Sequence, residues 1–329
     1  MLLAGDIGGT KTVLAIYAPD GGPSPEIQAT FRSTDYPNLK AIVLDFLADE
    51  GISVDRAIFG VAGPVVEGEV HATNLPWVIS EATLRQAMGL QEVTLLNDLE
   101  ATAYGVPYLT TEDLYTLNEA TPQDGATIVI APGTGLGEAI LFYQEGRDGG
   151  RPAWRVIPSE GGHTDFAPTN LFEIRLLRYL MGKFGHVSYE RVCSGSGIPN
   201  IYAYLRKNRF APEKPEVAEA LRKSADPTPI IVKAAMAGEC ELSIATLNAF
   251  VSILGAEAGN LTLKVMATGG VYLGGGIPPK ILSKLKDGTF MAAFVNKGRF
   301  AEMLAQIPVH VILNERTALL GAACYGLGL

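Results

Sequence analysis

The segment LLAGDIGGTKTVLAIY, Leu2 to Tyr17, sets Asp6 and the glycine pair Gly8-Gly9 between two apolar runs and leaves few ways for the chain to begin. Val13-Leu14-Ala15-Ile16-Tyr17 includes β-branched residues and has no capping residue before it, so both runs predict strands, with a hairpin turn between them. Glycine has no Cβ and enters φ > 0 freely, which lets Gly8 and Gly9 turn the backbone tightly and aim successive N–H groups at an anion such as phosphate. Thr10, Lys11 and Thr12 supply further donors, and Asp6 is placed to hold a Mg²⁺ ion through water. An ordinary hairpin turn carries the same signature. Counted from Gly5, the string comes within one residue of GxxxxGK[ST]. Thr10 stands where the second glycine is required, and a strand follows where a P-loop must open a helix, so a P-loop is excluded.

At 329 residues the chain exceeds the size at which single cores stop growing, about 250 to 300 residues, and two domains are expected. Hydrophobic residues make up 47 % and charged ones 19 %, with a mean hydropathy of +0.19, the balance of a well-packed globular protein. A net charge of −9 argues against nucleic-acid and anionic-membrane partners, which select basic patches. Asp6 interrupts the first apolar stretch and no basic segment precedes it, so no secretory signal is expected. Ala256 to Gly276 is the most apolar long window, but Glu257, Lys264 and several glycines break it, so it predicts a buried helix and strand rather than a membrane span. Cys193, Cys240 and Cys324 fit neither a disulfide framework nor CxxC metal spacing, and a reducing cytoplasm is the simplest location.

The periodicity of the first hundred residues predicts strands at Leu2 to Ile7, Thr12 to Tyr17, Glu26 to Arg32, Arg56 to Ala62 and Val93 to Leu96, with helices near Pro37 to Glu50 and Glu81 to Met88. A comparable beginning recurs at Ala126 to Ala131, where a buried-type run is followed by PGTGLGEA and the strand-like Ile140 to Tyr143. Two strand–glycine turn–strand units therefore open two lobes. Helices are predicted over about Leu171 to Lys183, Ile198 to Lys207, Pro215 to Lys223, Pro229 to Ala237 and Cys240 to Leu263, the last with an apolar stripe at three- and four-residue steps. A strand at about Val265 to Thr268 leads into GGVYLGGGIPPKI, and a strand from His310 to Leu313 precedes a final helix, about Arg316 to Tyr325, expected to pack on the first lobe.

Polar side chains collect in a few loops. Asn97-Asp98 follows the strand Val93 to Leu96 and opens a helix, which puts both at the carboxyl edge of a sheet, where open α/β sheets bind ligands; helix capping by Asp would produce the same pattern. Glu160-Gly161-Gly162-His163 and the stretch Glu190 to Gly197 supply carboxylates and an imidazole suited to a polyol, and Asn74 adds an amide beside Trp77. Gly133, Thr134 and Gly135 form a second flexible loop open to phosphate, without the spacing of a Rossmann fingerprint. The third cluster, Gly269-Gly270 and Gly274-Gly275-Gly276, would let a flat base or ribose approach the backbone; a plain βα connection looks the same. His71, His186 and His310 lack metal-ligand spacing, and no GxSxG elbow is present.

Taken in order, GDIGGTKT, LNDLEATAYG, APGTGLGEA, SEGGHTDFAP, ERVCSGSG and GGVYLGGGIPPKI resemble the motifs of bacterial glucokinases, of the actin-like sugar-kinase and hexokinase superfamily, across almost the whole chain. The resemblance implies an α/β, two-lobed actin-like (ribonuclease H-like) ATPase fold with a central cleft. Residues 1–107 plus 308–329 would form a small domain with the first phosphate loop and the catalytic Asp, and residues 108–307 a larger domain with the second loop, the sugar loops and the adenosine site. It further implies ATP and Mg²⁺ as cofactors and glucose as substrate, with glucose 6-phosphate as product in the first step of glycolysis. The ATP phosphates would lie on the loops of Gly8, Gly9, Thr10, Lys11 and Thr12 and of Gly133, Thr134 and Gly135, and adenosine near Gly270, Gly274 and Gly275. Asp98 would be the general base, and Asn97, Glu160, His163 and Glu190 would hydrogen-bond the sugar, as Asn74 is also placed to do. A related repressor/kinase family carries a cysteine-rich zinc motif that is missing here, so no zinc is expected, and a homodimer is. Competing readings are a kinase for another hexose or an N-acylated hexosamine, a sugar-responsive transcriptional regulator on the same fold, and an actin-like structural ATPase.

Overall fold

The computed structural model describes residues 1–73, 75–145 and 153–329, and the chain divides into two compact units. Met1–Asp113, Leu141–Pro158 and Asn314–Leu329 form the first; Leu114–Ile140 and Ser159–Leu313 form the second. The boundaries expected after residues 107 and 307 thus fall at 113 and 313. Residues 141–158, expected in the second domain, group with the first, where Tyr104 hydrogen-bonds the Val156 backbone.

The first unit is built on β1 (Leu2–Ile7), β2 (Lys11–Tyr17), β3 (Ile27–Arg32) and β4 (Arg56–Val61), a small antiparallel pair β5 (Glu69–His71) and β6 (Val78–Ser80), and β7 (Glu92–Asn97). The main sheet has the order β3-β2-β1-β4-β7, with antiparallel pairing of β1 to β2 and β2 to β3, and parallel pairing of β1 to β4 and β4 to β7. Alternate residues of β1 and β2 serve two cores, which is why both strands read as continuous apolar runs. Leu3, Ile7, Leu14 and Ile16 join Ile42, Val43 and Phe46 of the helix Leu39–Glu50. Leu2, Ala4 and Ala15 join Leu319, Ala322 and Ala323 of the final helix, Thr317–Leu327, which packs within this unit. That helix lies against the helix Asp98–Gly105 at a distance only glycine permits: a Cβ on Gly105 would come within 2.5 Å of the Thr317 carbonyl oxygen.

The second unit carries β8 (Leu114–Thr116), β9 (Thr127–Pro132), β10 (Leu136–Gln144), β11 (Ala153–Ser159), β12 (Gly270–Leu273) and β13 (Val309–Ile312) in the order β11-β10-β9-β12-β13-β8, the unit boundary falling within β10 and β11. Leaving β8 aside, this repeats the order of the first sheet, strand for strand. The duplication was readable from the two strand–glycine turn–strand openings. The helix Glu241–Val265 is long and apolar enough to span a membrane on length and composition alone, yet its stripe of Leu247, Phe250, Val251, Leu254, Ala258 and Leu261 is buried in the core of this unit. The strand expected at Val265 to Thr268 lies elsewhere. The helix continues to Val265, Met266 ends it in the left-handed region with φ 52°, and pairing to β9 and β13 starts only at Gly270 and Val271.

Candidate active site

In the first unit the parallel register aligns Asp6 with Gly60 and Gly60 with Leu96, and Val61 with Asn97, so Asp6 and the Asn97-Asp98 pair emerge along the same carboxyl edge. Capping of the helix Asp98–Gly105 falls mainly to Asn97. Its Oδ1 accepts the Leu99 N–H at 2.9 Å, and its Nδ2 donates to the Gly63 carbonyl at 2.8 Å. Asp98 Oδ1 shares that Leu99 N–H, also at 2.9 Å, and the side chain otherwise stands at the surface with its second oxygen uncommitted among the described residues. Surrounding protein raises the Asp98 pKa against the opposing pull of its backbone hydrogen bonds. Asp6 is pushed up to about 6, first by burial and then by the charge of Asp98, with Lys11 pulling the other way. Two carboxylates that disfavour each other's ionisation fit a site that receives a cation or a proton.

The turn that follows β1 is a hairpin, as the apolar run after it predicts, with Ile7 paired to Thr12 and Gly8 N–H donating to the Lys11 carbonyl at 3.0 Å. Ser33 braces it: its hydroxyl donates to the Gly8 carbonyl at 2.8 Å and its N–H donates to the Thr10 carbonyl at 3.0 Å. Two expectations change here. Neither Gly8 nor Gly9 is among the positive-φ residues, so the glycines serve by leaving room rather than by unusual dihedrals. Thr12 is fully buried with its hydroxyl 3.0 Å from Ser33 Oγ, which removes it from the surface that Thr10 and Lys11 present. Lys11 Nζ lies 3.7 Å from Glu315, an exposed pair that ties the amine only weakly.

In the second unit the glycine loops after β9 and β12 converge. Gly275 has φ +79°, and a Cβ there would come within 2.6 Å of the Pro132 carbonyl oxygen; the Gly195 N–H donates to the Gly133 carbonyl at 2.7 Å. A pocket of about 590 Å³ opens among Gly133, Thr134, Ser196, Thr228, Gly276 and Lys280. Two helices, Gly197–Lys207 and Thr228–Met236, begin at its wall, joined by the Thr228 hydroxyl donating to the Gly195 carbonyl at 2.5 Å. The Gly197 and Ile198 N–H groups are taken by Ser194 and the Thr228 N–H by Asp226, so the positive dipole ends and the Lys280 amine, rather than free N–H groups, favour an electron-rich occupant. Gly270 is not part of this pocket, because it opens β12, and Gly274 and Gly275 follow at the opposite end of the strand. Ser196 and Lys280 lie within the runs ERVCSGSG and GGVYLGGGIPPKI but were not singled out in them, and Thr228 was not identified from the sequence, its local mark being the Pro-Thr-Pro run 227–229.

Glu160, His163 and Glu190 also belong to this unit. The turn Gly161–His163 follows β11, with Glu160 Oε2 and His163 Nε2 4.0 Å apart and both side chains exposed. Glu190 Oε2 accepts the Leu136 N–H at 3.1 Å, and a Cβ on Gly135 would collide with the same oxygen at 2.5 Å, so the second glycine loop and the Glu190 carboxylate are held together. Asn74 lies outside the described residues.

The glucokinase family model matches residues 3–328. The chain is 41 % identical to the glucokinase of Nostoc punctiforme, over 98 % of both chains, and 42 % identical to that of a second Nostoc, again over 98 % of each. The crystal structure of a glucokinase from an Antarctic psychrotroph superposes with a TM-score of 0.83 at 34 % identity, covering 98 % of each chain. The repeated strand order, the paired carboxylates and the glycine-lined pocket are thereby placed in an actin-like sugar kinase, and the chain belongs to the glucokinase family, as an ATP-dependent glucose kinase.

Proposed function

We propose that the protein transfers the γ-phosphate of ATP to the 6-hydroxyl of glucose, with Asp98 as general base. The observation that carries this reading is the division of roles at the end of β7: Asn97 caps the helix, and the Asp98 carboxylate beside it is left with one shared hydrogen bond. A carboxylate within reach of a sugar hydroxyl takes its proton as the phosphoryl group arrives, worth about 10² to 10⁴-fold in rate. Asn97, Glu160, His163 and Glu190 bind the hydroxyls, and the phosphates rest on the backbone of Gly8, Gly9 and Thr10 with Lys11, and of Gly133, Thr134 and Gly135. Adenosine occupies the pocket beside Gly274 and Gly275. Asp6 fits a Mg²⁺ ion held through water, since the mutual repulsion of Asp6 and Asp98 is relieved by a cation there; the ion would neutralise phosphate charge. A cytoplasmic homodimer acting at the head of glycolysis is the setting consistent with this reaction. Purified protein with ATP, Mg²⁺ and glucose tests it: ADP and glucose 6-phosphate are expected, and neither above blank overturns it. A matrix of donors against sugars, including N-acylated hexosamines, then sets the donor and the acceptor.

A further inference from the structure

Beneath the turn Gly161–His163 lies a carboxylate that plays no part in the chemistry above. Glu138, two residues into β10 beyond Leu136, is 1 % exposed, and neither of its carboxyl oxygens has a hydrogen-bond partner among the described residues. Its Oε2 occupies the place a Cβ on Gly161 would take, and its Cδ would be 2.9 Å from that Cβ, so the turn rests directly on the carboxyl group. Leu136, in the same strand, supplies the N–H that holds Glu190. Glu138 therefore lies under one sugar-facing loop and beside the anchor of another.

A buried carboxylate without donors is tolerated only in its neutral form. Charged and titratable groups of the neighbouring elements bear on Glu138 or on its neighbour Glu257. From the helix Glu241–Val265 come Glu257, fully buried, and Lys264, whose amine is 3.6 Å from Glu257 Oε1. From the turn at 189–193 come the Tyr189 phenol, bonded to Glu257, and the Cys193 thiol, pushed up first by burial and then by both glutamates. The loop above carries Glu160 and His163, both exposed, and Lys297 is bonded to the Glu257 helix, donating to Asn260 Oδ1 at 2.6 Å and the Ala256 carbonyl at 2.9 Å. Asn260 in turn donates to Glu257 Oε2 at 2.8 Å, so Glu257 has a donor and a cation while Glu138 has neither.

We propose that Glu138 is a positioning residue for the sugar: protonated, it supports the Gly161–His163 turn, and on losing its proton to solvent it is repelled by Glu257 and displaces the turn, so that glucose binding weakens as pH rises. Burial, then Glu257, pushes the Glu138 pKa up to about 7, which sets the window. The protonated form prevails in the fold below that value, so support for the turn is complete at low pH and lost as pH rises through about 7.

The inference rests on glucose being the substrate. Its test is the glucose KM from pH 6 to 8 for the wild type and for Glu138→Gln, an isostere of the protonated acid. If the ionised form binds no sugar, the wild-type KM rises about tenfold across that range. The variant is expected to hold the low-pH value throughout, with kcat and the KM for ATP close to wild type. The same pH dependence of KM in both proteins overturns the proposal while leaving the kinase reading intact; absence of glucose phosphorylation in the wild type overturns the kinase reading instead. Hydrogen exchange of the Gly161 to Thr164 amides in the wild type, corrected for intrinsic rate, needs no variant. Protection should fall between pH 6 and 8, and protection unchanged across that range also overturns the proposal.

Discussion

The sheet β3-β2-β1-β4-β7 brings two of its parallel strands out on carboxylates, Asp6 in β1 and Asp98 after β7, whereas in the second sheet β9, the match of β1, and β12, the match of β4, run out into Gly133 and Gly274-Gly275. Both units use one topology and one kind of opening turn. The first turn is braced by Ser33, the residue that follows β3, and beside it stand two acids, the charge of Asp98 adding to burial in raising the proton affinity of Asp6. The second is braced by other loops, at Gly195 and Gly275, and the space left over is a pocket with two helix N-termini in its wall. A shared backbone plan thus presents the same carboxyl edge twice, and the side chains at that edge differ, carboxylates in the first unit and glycines beside a pocket in the second.

The contrast breaks hardest at Asp98. Asp98→Ala should lower kcat by about 10² to 10⁴-fold with the KM for ATP near wild type, because the acid edge and the pocket belong to different units. Steady-state kinetics with both substrates varied reads this, and a kcat within a few-fold of wild type would remove Asp98 from the proton transfer. Next comes the bracing of the first turn. Ser33→Ala leaves the Gly8 carbonyl and the buried Thr12 hydroxyl without their partner, at about 1 to 3 kcal/mol, and should lower the denaturant midpoint while raising the KM for ATP. On the second turn, Gly275→Ala forces a side chain into a left-handed backbone against the Pro132 carbonyl, about 1 to 3 kcal/mol, with nucleotide affinity lost before glucose affinity; equal loss of both would break the assignment of this edge to the nucleotide. The smallest effect is expected for Thr228→Val. Losing its bond to the Gly195 carbonyl costs about 0.5 to 1.5 kcal/mol, or about 2- to 12-fold in nucleotide Kd by calorimetry, with kcat little changed.

Elements with strong local patterns were legible in the sequence. The hairpin at Gly8-Gly9 and the stripe of the helix Glu241–Val265 follow from alternation and three-to-four spacing alone, and the rejection of a P-loop follows from the strand after the glycines. The strand β12 was displaced by a few residues because Val265 to Thr268 has a strand-like composition, and only tertiary packing carries the helix to Val265. At the site, Asp98 and Glu190 were legible as polar residues at an edge and in a glycine-rich loop. Ser33 was not, because a hydroxyl that braces a turn 25 residues away leaves no periodic trace. Thr12 was misjudged for the complementary reason: its donor is spent on Ser33. The residues of the stretch 226–229 enter the pocket only through the packing of two helices, which no motif records.

The tether of Asn97 has a stereochemical consequence. With its oxygen spent on Leu99 and one amide hydrogen on Gly63, the side chain keeps a single N–H to offer, while the adjacent Asp98 carboxylate only accepts. An alcohol that meets this pair receives a hydrogen from one neighbour and surrenders its own to the other, so its O–H vector is set before any phosphate arrives. In the proposed reaction the edge of β7 would act as a polarity filter, reading the direction in which a hydroxyl points, because an ether or deoxy carbon at that position answers neither neighbour.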